Sequence, residues 1–346
     1  MSQHLIPLLS MLRLGVYVIL FFTCSVGLYA QPNNEIFDKV NGMSFVAVDH
    51  EVDAVHVTPM KDIGANWVAI IPFAYMPAAT MPELMYDAKW QWLGERIEGA
   101  RGHIRGMHAQ NIAVMMKPQI WIGHGTYTGK ISMKSDEDWG ALEANYSSYI
   151  LDYAKMAEEE GVEMFCIGTE LKLFVAQRNE YWLKLISSVR EVFTGKLTYA
   201  ANWDEYSGVS FWDKLDFIGV DAYFPISKEG KTKIKELKKG WKRHLNLMDT
   251  IAEKFEMKIL FTEYGYRSIK NCSAKPWDYS EDAKVDQKSQ CVALEALYQV
   301  MWKNDNFAGG FLWKWHADHG DAGGKENSMF TVQNKEAAAV VEKYYR

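Results

Sequence analysis

The chain has 346 residues, a net charge of −6 at pH 7 and 13 tryptophans. That balance excludes nucleic acid as a partner, because a polyanion needs a concentrated basic surface to displace its counterions. The one basic run, 228–243, carries Ile234, Leu237 and Trp241 at helical spacing and reads as a solvated helix face. Indole faces stack on the C–H faces of sugars, so the tryptophan content suits either a carbohydrate ligand or an aromatic core.

At the N terminus, a nearly uncharged apolar run over 14–30 follows Arg13 and gives way to QPNNE. This pattern reads as an export signal covering residues 1–30, with lipidation at Cys24 as a variant and a retained membrane anchor as the alternative. The expected location is outside the cytoplasm: secreted, periplasmic or on the outer surface. Residues 31–346 contain no Pro/Ser/Gly-rich linker and no repeat of solenoid length. One catalytic domain is expected there, of a length that suits an α/β barrel of about 250 residues with added loops.

Strand candidates follow at 43–48, 66–73, 113–122, 164–171, 196–202, 215–223, 258–266 and 308–315. Helical patterns at 84–110, 139–160, 181–193, 234–255, 285–303 and 335–345 fall between and after them. Gly161 is placed to end a helix in the left-handed conformation just before a strand. Only 203–214 looks too short for a helix. A doubly wound open sheet would carry a Gly-rich phosphate loop after its first strand, and none is present. Eight strand–helix units predict a single (β/α)8 TIM barrel.

In such a barrel the chemistry sits at the C-terminal ends of the strands. Glu170 ends the fourth apolar run and Glu263 lies at the end of the seventh, a carboxylate pair of the kind a retaining glycosidase uses as acid/base and nucleophile. Tyr223 ends the strand beside Glu263 and can hydrogen-bond it. Trp313 can floor the reacting sugar, and Asn202, Lys117, Trp121 and His124 can contact hydroxyls or ring faces, as can Trp203 and Trp315 beside them. His316, Asp318, His319 and Asp321 read as a substrate-facing loop, since their spacing matches no established metal site. No G-x-S-x-G elbow supports a serine triad. Beyond Cys24, Cys166 reads as a buried thiol, whereas Cys272 and Cys291 flank a polar loop and their pairing is left open. No metal, cofactor or protein partner is implied, and a monomer is expected.

The ordered set NGMSFVA, GANWVAIIPF, KPQIWI, FCIGTEL, LDFIGVDAYFP, ILFTEYGYRS and GGFLWKW resembles glycoside hydrolase family 113 from about Asn41 to Trp315. The resemblance implies a clan A retaining TIM-barrel enzyme associated with β-1,4-mannanase activity. It implies Glu170 as acid/base, Glu263 as nucleophile, Tyr223 as the tyrosine near the nucleophile and Trp313 as the tryptophan at the cleavage subsite. Clan A enzymes commonly place Asn before the acid/base to bind the sugar 2-hydroxyl; this chain has Thr169, so Thr169 or another residue, such as Asn202, is expected to take that contact. The expected substrate is mannan or manno-oligosaccharide. The alternatives are another clan A β-glycosidase acting on glucan or xylan, and a non-catalytic carbohydrate-binding barrel.

Overall fold

Short runs of apolar residues can bury both faces only inside a parallel sheet covered by helices, and this chain closes such a sheet on itself. The computed structural model describes residues 39–228, 233–279 and 283–346, so the segment read as an export signal, with Cys24, lies outside the described residues. In chain order the elements are β1 (Val40–Phe45), α1 (Ala54–Asp62), β2 (Trp67–Ile70), β3 (Phe73–Met76), α2 (Ile97–His108), β4 (Ala113–Met116) and β5 (Gln119–Ile122). Then come α3 (Asp136–Glu159), β6 (Met164–Thr169), α4 (Lys172–Gln177), α5 (Asn179–Val192), β7 (Lys196–Asn202), β8 (Ile218–Asp221) and α6 (Ile234–Phe255). The chain ends with β9 (Ile259–Tyr264), α7 (Gln287–Met301), β10 (Phe307–Trp315) and α8 (Ala337–Tyr345). Strands β1, β2, β4, β6, β7, β8, β9 and β10 form one closed parallel barrel.

The expected strands at 66–73 and 113–122 are each cut in two by a proline. Pro72 and Pro118 have no N–H to give to the ladder, so β2 and β4 stop and the chain resumes as β3 and β5. These two pair with each other in a separate two-stranded parallel sheet. It carries the chain past the barrel rim at the C-terminal ends of β2 and β4.

The helix expected over 84–110 is α-helical only from Ile97. Asp87 takes a left-handed backbone (φ 53°) and its carboxylate accepts the Ile97 N–H at 3.0 Å, so it caps α2 from a preceding loop. Residues 84–96 are therefore loop with one 3-10 turn at Leu93–Glu95. Helix α1, which contains Pro59, has little apolar periodicity to announce it. Gly161 is left-handed as its sequence position suggests (φ 66°), and 203–214 holds only two 3-10 turns.

Two apolar clusters hold the fold. One fills the space between the barrel and its helices, and the other takes alternate strand residues such as Ala69, Met115, Cys166, Ala200, Leu260 and Phe311 and fills the barrel. The Phe311 ring occupies the room left by Gly42, where an added Cβ would lie 2.4 Å from the ring. Cys166, Cys272 and Cys291 are all free thiols.

Candidate active site

Glu170 follows the last residue of β6 in a left-handed backbone (φ 54°), a conformation that costs a non-glycine residue of order 1 kcal/mol. Neighbouring groups hold it there. Its N–H donates to the Ala200 carbonyl at 2.8 Å, and the Leu171 N–H donates to the Tyr199 hydroxyl at 2.8 Å. Thr128 Oγ1 donates to the Glu170 carbonyl at 3.3 Å.

Three donors converge on the Glu263 carboxylate. Oε1 accepts from the Lys117 ammonium and from Gln119 Nε2 at 2.9 Å, and Oε2 accepts from the Tyr223 hydroxyl at 2.9 Å. Lys117 also donates to Asp221 Oδ1 at 3.3 Å, and Thr262 Oγ1 donates to the same oxygen at 2.7 Å. Lys117 is 0% exposed and Asp221 1% exposed, so an ammonium and two carboxylates share a dry base under the barrel mouth. Burial disfavours the Lys117 charge, but Asp221 and Glu263 outweigh it and leave the ammonium above its ordinary pKa. Asp221 is pushed above the usual carboxylate range by burial and then by the Glu263 charge, against the pull of Lys117. Burial holds the Tyr223 phenol well above its ordinary value, so it remains a donor.

Glu170 is also held protonated by its surroundings. Burial raises its pKa first, the charges of Asp221 and Glu263 raise it further, and Lys117 opposes them only in part. It therefore holds a proton well above the usual carboxylate range. One carboxyl kept protonated beside one carboxylate fixed by three donors is a division of roles suited to acid and nucleophile. Tyr223→Phe removes a hydrogen bond to a charged group, worth about 1.5–3 kcal/mol. It is expected to lower kcat by about 10- to 100-fold, checked by steady-state kinetics.

Asn202 ends β7, where its Nδ2 donates to the Tyr127 hydroxyl at 2.9 Å and its Oδ1 accepts the Trp203 N–H at 2.7 Å. Thr169 ends β6 opposite Ala200, and its buried Oγ1 has no hydrogen-bond partner. Trp313 is half-buried on β10 and its Nε1 donates to the Tyr279 hydroxyl at 3.2 Å. Trp203 stacks on Trp277 with centroids 5.3 Å apart, and Trp277 is exposed. Trp121 and His124 are exposed on and after β5.

Two expected sugar contacts are corrected by burial. Lys117 has no surface to offer a substrate and instead donates to Glu263 from within the barrel. Trp315 is 1% exposed and its ring is covered by the half-buried His319, with centroids 5.5 Å apart. The loop of His316, Asp318, His319 and Asp321 also divides: His319 packs on Trp315, while Asp318 lies 3.7 Å from His50 Nε2.

Asp221, Gln119, Tyr127 and Tyr279 were not singled out by the sequence. Asp221 had a signal, since it ends an apolar strand directly across from Glu263. Gln119 had a weaker one, a polar side chain just after the proline that ends β4.

The fold agrees with comparisons to known proteins. No curated protein matches the chain. Among solved structures, a GH113 β-mannanase from Alicyclobacillus acidocaldarius, in complex with ManMIm, is 25% identical. That match covers 89% of this chain and 97% of the other, with a TM-score of 0.78. A GH113 β-1,4-mannanase solved as a complex is 21% identical over 89% of this chain and 99% of its own, with a TM-score of 0.77. A β-glucuronidase from Ruminococcus gnavus shares the fold alone, at 12% identity and a TM-score of 0.60, and this chain spans half of its length. The model of Glycoside Hydrolase Family 113 matches residues 48–335, which include Glu170, Glu263 and every side chain found around them. With that match added to a closed eight-stranded barrel, the chain is a glycoside hydrolase and belongs to family 113.

Proposed function

We propose that the chain is an exported retaining hydrolase of β-1,4-linked mannan or manno-oligosaccharides. The observation that carries the division into acid and nucleophile is the contrast between buried, protonated Glu170 and the triply hydrogen-bonded Glu263, and the retaining course is supported by the resemblance to family 113. Glu263 attacks the anomeric carbon while Glu170 gives its proton to the departing glycosidic oxygen. Glu170, now a carboxylate, then takes a proton from water, and that water displaces Glu263 from the same carbon. Two inversions at one carbon return the starting configuration. Trp313 floors the reacting ring, and Thr169 or Asn202 meets its 2-hydroxyl; the buried, unpartnered Thr169 Oγ1 supports the first.

The choice of mannan is supported by the two β-mannanases of similar structure. The test is a screen on β-mannan, β-glucan and xylan, with proton NMR of the first product formed. The expected result is cleavage of mannan with the β anomer appearing first. The α anomer first would mean inversion, and binding of mannan without cleavage would favour a binding barrel. Export is supported by the 14–30 run and is tested by fractionation with intact-mass analysis, which should find a mature chain beginning near Gln31 or a lipid on Cys24.

A further inference from the structure

Strands β3 and β5 pair in register, Phe73 opposite Gln119 and Tyr75 opposite Trp121. Side chains alternate along a strand, and here Ile120 and Ile122 turn into the core while Gln119 and Trp121 share the outer face. Gln119 is fixed by its hydrogen bond to Glu263 Oε1. Trp121, two residues on, therefore lies about 7 Å further out along the same face, a step on the scale of neighbouring sugar units. Trp121 is 57% exposed, and across from it Trp90 is 63% exposed. The Trp90 ring meets Tyr75 edge to face at 6.1 Å and 88°. Trp121, Tyr75 and Trp90 line one cavity, which the Glu95 side also reaches. Both ends of the Gln91 amide are spent on the loop that carries Trp90: Oε1 accepts the Ala88 N–H at 2.9 Å and Nε2 donates to the Phe73 carbonyl at 2.7 Å. The loop thus holds Trp90 in place, yet neither exposed indole is covered by the fold.

We propose that this groove is a subsite for a non-reacting pyranose unit of the same β-linked chain whose neighbouring unit is held at Glu263. It rests on the reading of Glu263 as the reacting carboxylate, but not on the sugar being mannose. The occupant follows from continuity. The strand face that begins at the nucleophile's partner Gln119 leads directly to Trp121, and aromatic walls with a carboxylate at one side match a sugar ring's apolar faces and hydroxyl edge. The proline breaks at Pro72 and Pro118 are what create this subsite, because they free β3 and β5 to pair beyond the barrel.

The test compares kcat/KM on β-1,4-linked hexasaccharides and trisaccharides of the manno, gluco and xylo series, taking the series that the wild type cleaves fastest. The ratio of hexasaccharide to trisaccharide is expected to fall about tenfold in Trp121→Ala and in Trp90→Ala, one stacking contact each. Trp121→Phe should recover part of it. Trp92→Ala, an exposed tryptophan that does not line the groove, should keep the wild-type ratio. A wild-type ratio in Trp121→Ala, or an equal loss on both lengths, overturns the subsite. Preference for the gluco or xylo series would instead correct the proposed substrate and leave the subsite standing. If no series is cleaved, titration of the same hexasaccharides into the wild type and Trp121→Ala decides the subsite alone: tighter binding by the wild type supports it, and equal binding overturns it.

Discussion

Glu263→Ala is expected to lower kcat on the preferred polysaccharide by at least about 10⁴-fold, since on the proposed mechanism it removes the covalent step altogether. Glu170→Gln should lose about 10²–10⁴-fold on the same polymer, the usual contribution of a positioned general acid. The two variants differ in how they can be rescued. A glycoside with a good leaving group needs no proton, so formation of the glycosyl–enzyme in Glu170→Gln should recover on an activated aryl glycoside. Added azide should then be captured with retained configuration. Azide added to Glu263→Ala enters from the vacated face and gives the opposite anomer. Exchange of these two azide products between the variants would reverse the assignment of roles. Near wild-type turnover by either variant on polymer would refute it. Because Glu170 holds its proton well above the ordinary carboxylate range, kcat/KM on polymer should fall on the alkaline side through loss of one proton. Glu170→Gln should abolish that fall.

Lys117→Met is expected to cost about 3–5 kcal/mol, because it leaves Asp221 and Glu263 buried together without a cation. For a chain of this size that corresponds to a drop in Tm of roughly 5–8 °C. The sign of its pH dependence follows from linkage. Asp221 already has a raised pKa in the fold, so what it adds to stability is present at low pH and lost as pH rises through the folded value. Removing Lys117 removes the group that opposes this rise. The deficit relative to wild type should therefore be largest at neutral and alkaline pH and shrink as pH falls toward the ordinary carboxylate range. Thermal melts from pH 5 to pH 9 measure this, and a deficit that grows on acidification would refute the ion cluster as described. Adding Asp221→Leu should restore part of the lost stability by removing one of the two repelling carboxylates. It should not restore activity, because Glu263 still lacks its ammonium partner.

Much of the fold was legible because its signals are local. Each barrel strand coincides with an apolar run at a recognisable position, and α6 covers the residues its periodicity marks. The errors had local causes as well. Pro72 and Pro118 cut two runs that read as continuous strands, and Asp87 turned a helical pattern into a cap and a loop. At the site, the sequence placed Glu170 and Glu263 correctly at strand ends and Tyr223 within reach of Glu263, a hydrogen bond the structure contains. It assigned Lys117 and Trp315 to the substrate, whereas both turn inward. At the end of a strand, one residue of phase decides between core and mouth, and the phase is set by pairing with neighbours far away in the chain.

By itself, the sequence determined the order of the eight barrel strands and the two glutamates that end strands, since apolar periodicity and strand length are properties of contiguous residues. Tertiary structure alone decided which groups surround those glutamates. Lys117, Asp221 and Gln119 reach Glu263 only because β4, β8 and the segment after Pro118 converge at one end of a closed barrel. The raised pKa of Glu170 and the three donors gathered on Glu263 follow from that convergence, because burial and the placement of a single ammonium are set by packing. So does the groove of Trp121, Tyr75 and Trp90, whose walls come from two strands and a loop and meet only when the chain is folded.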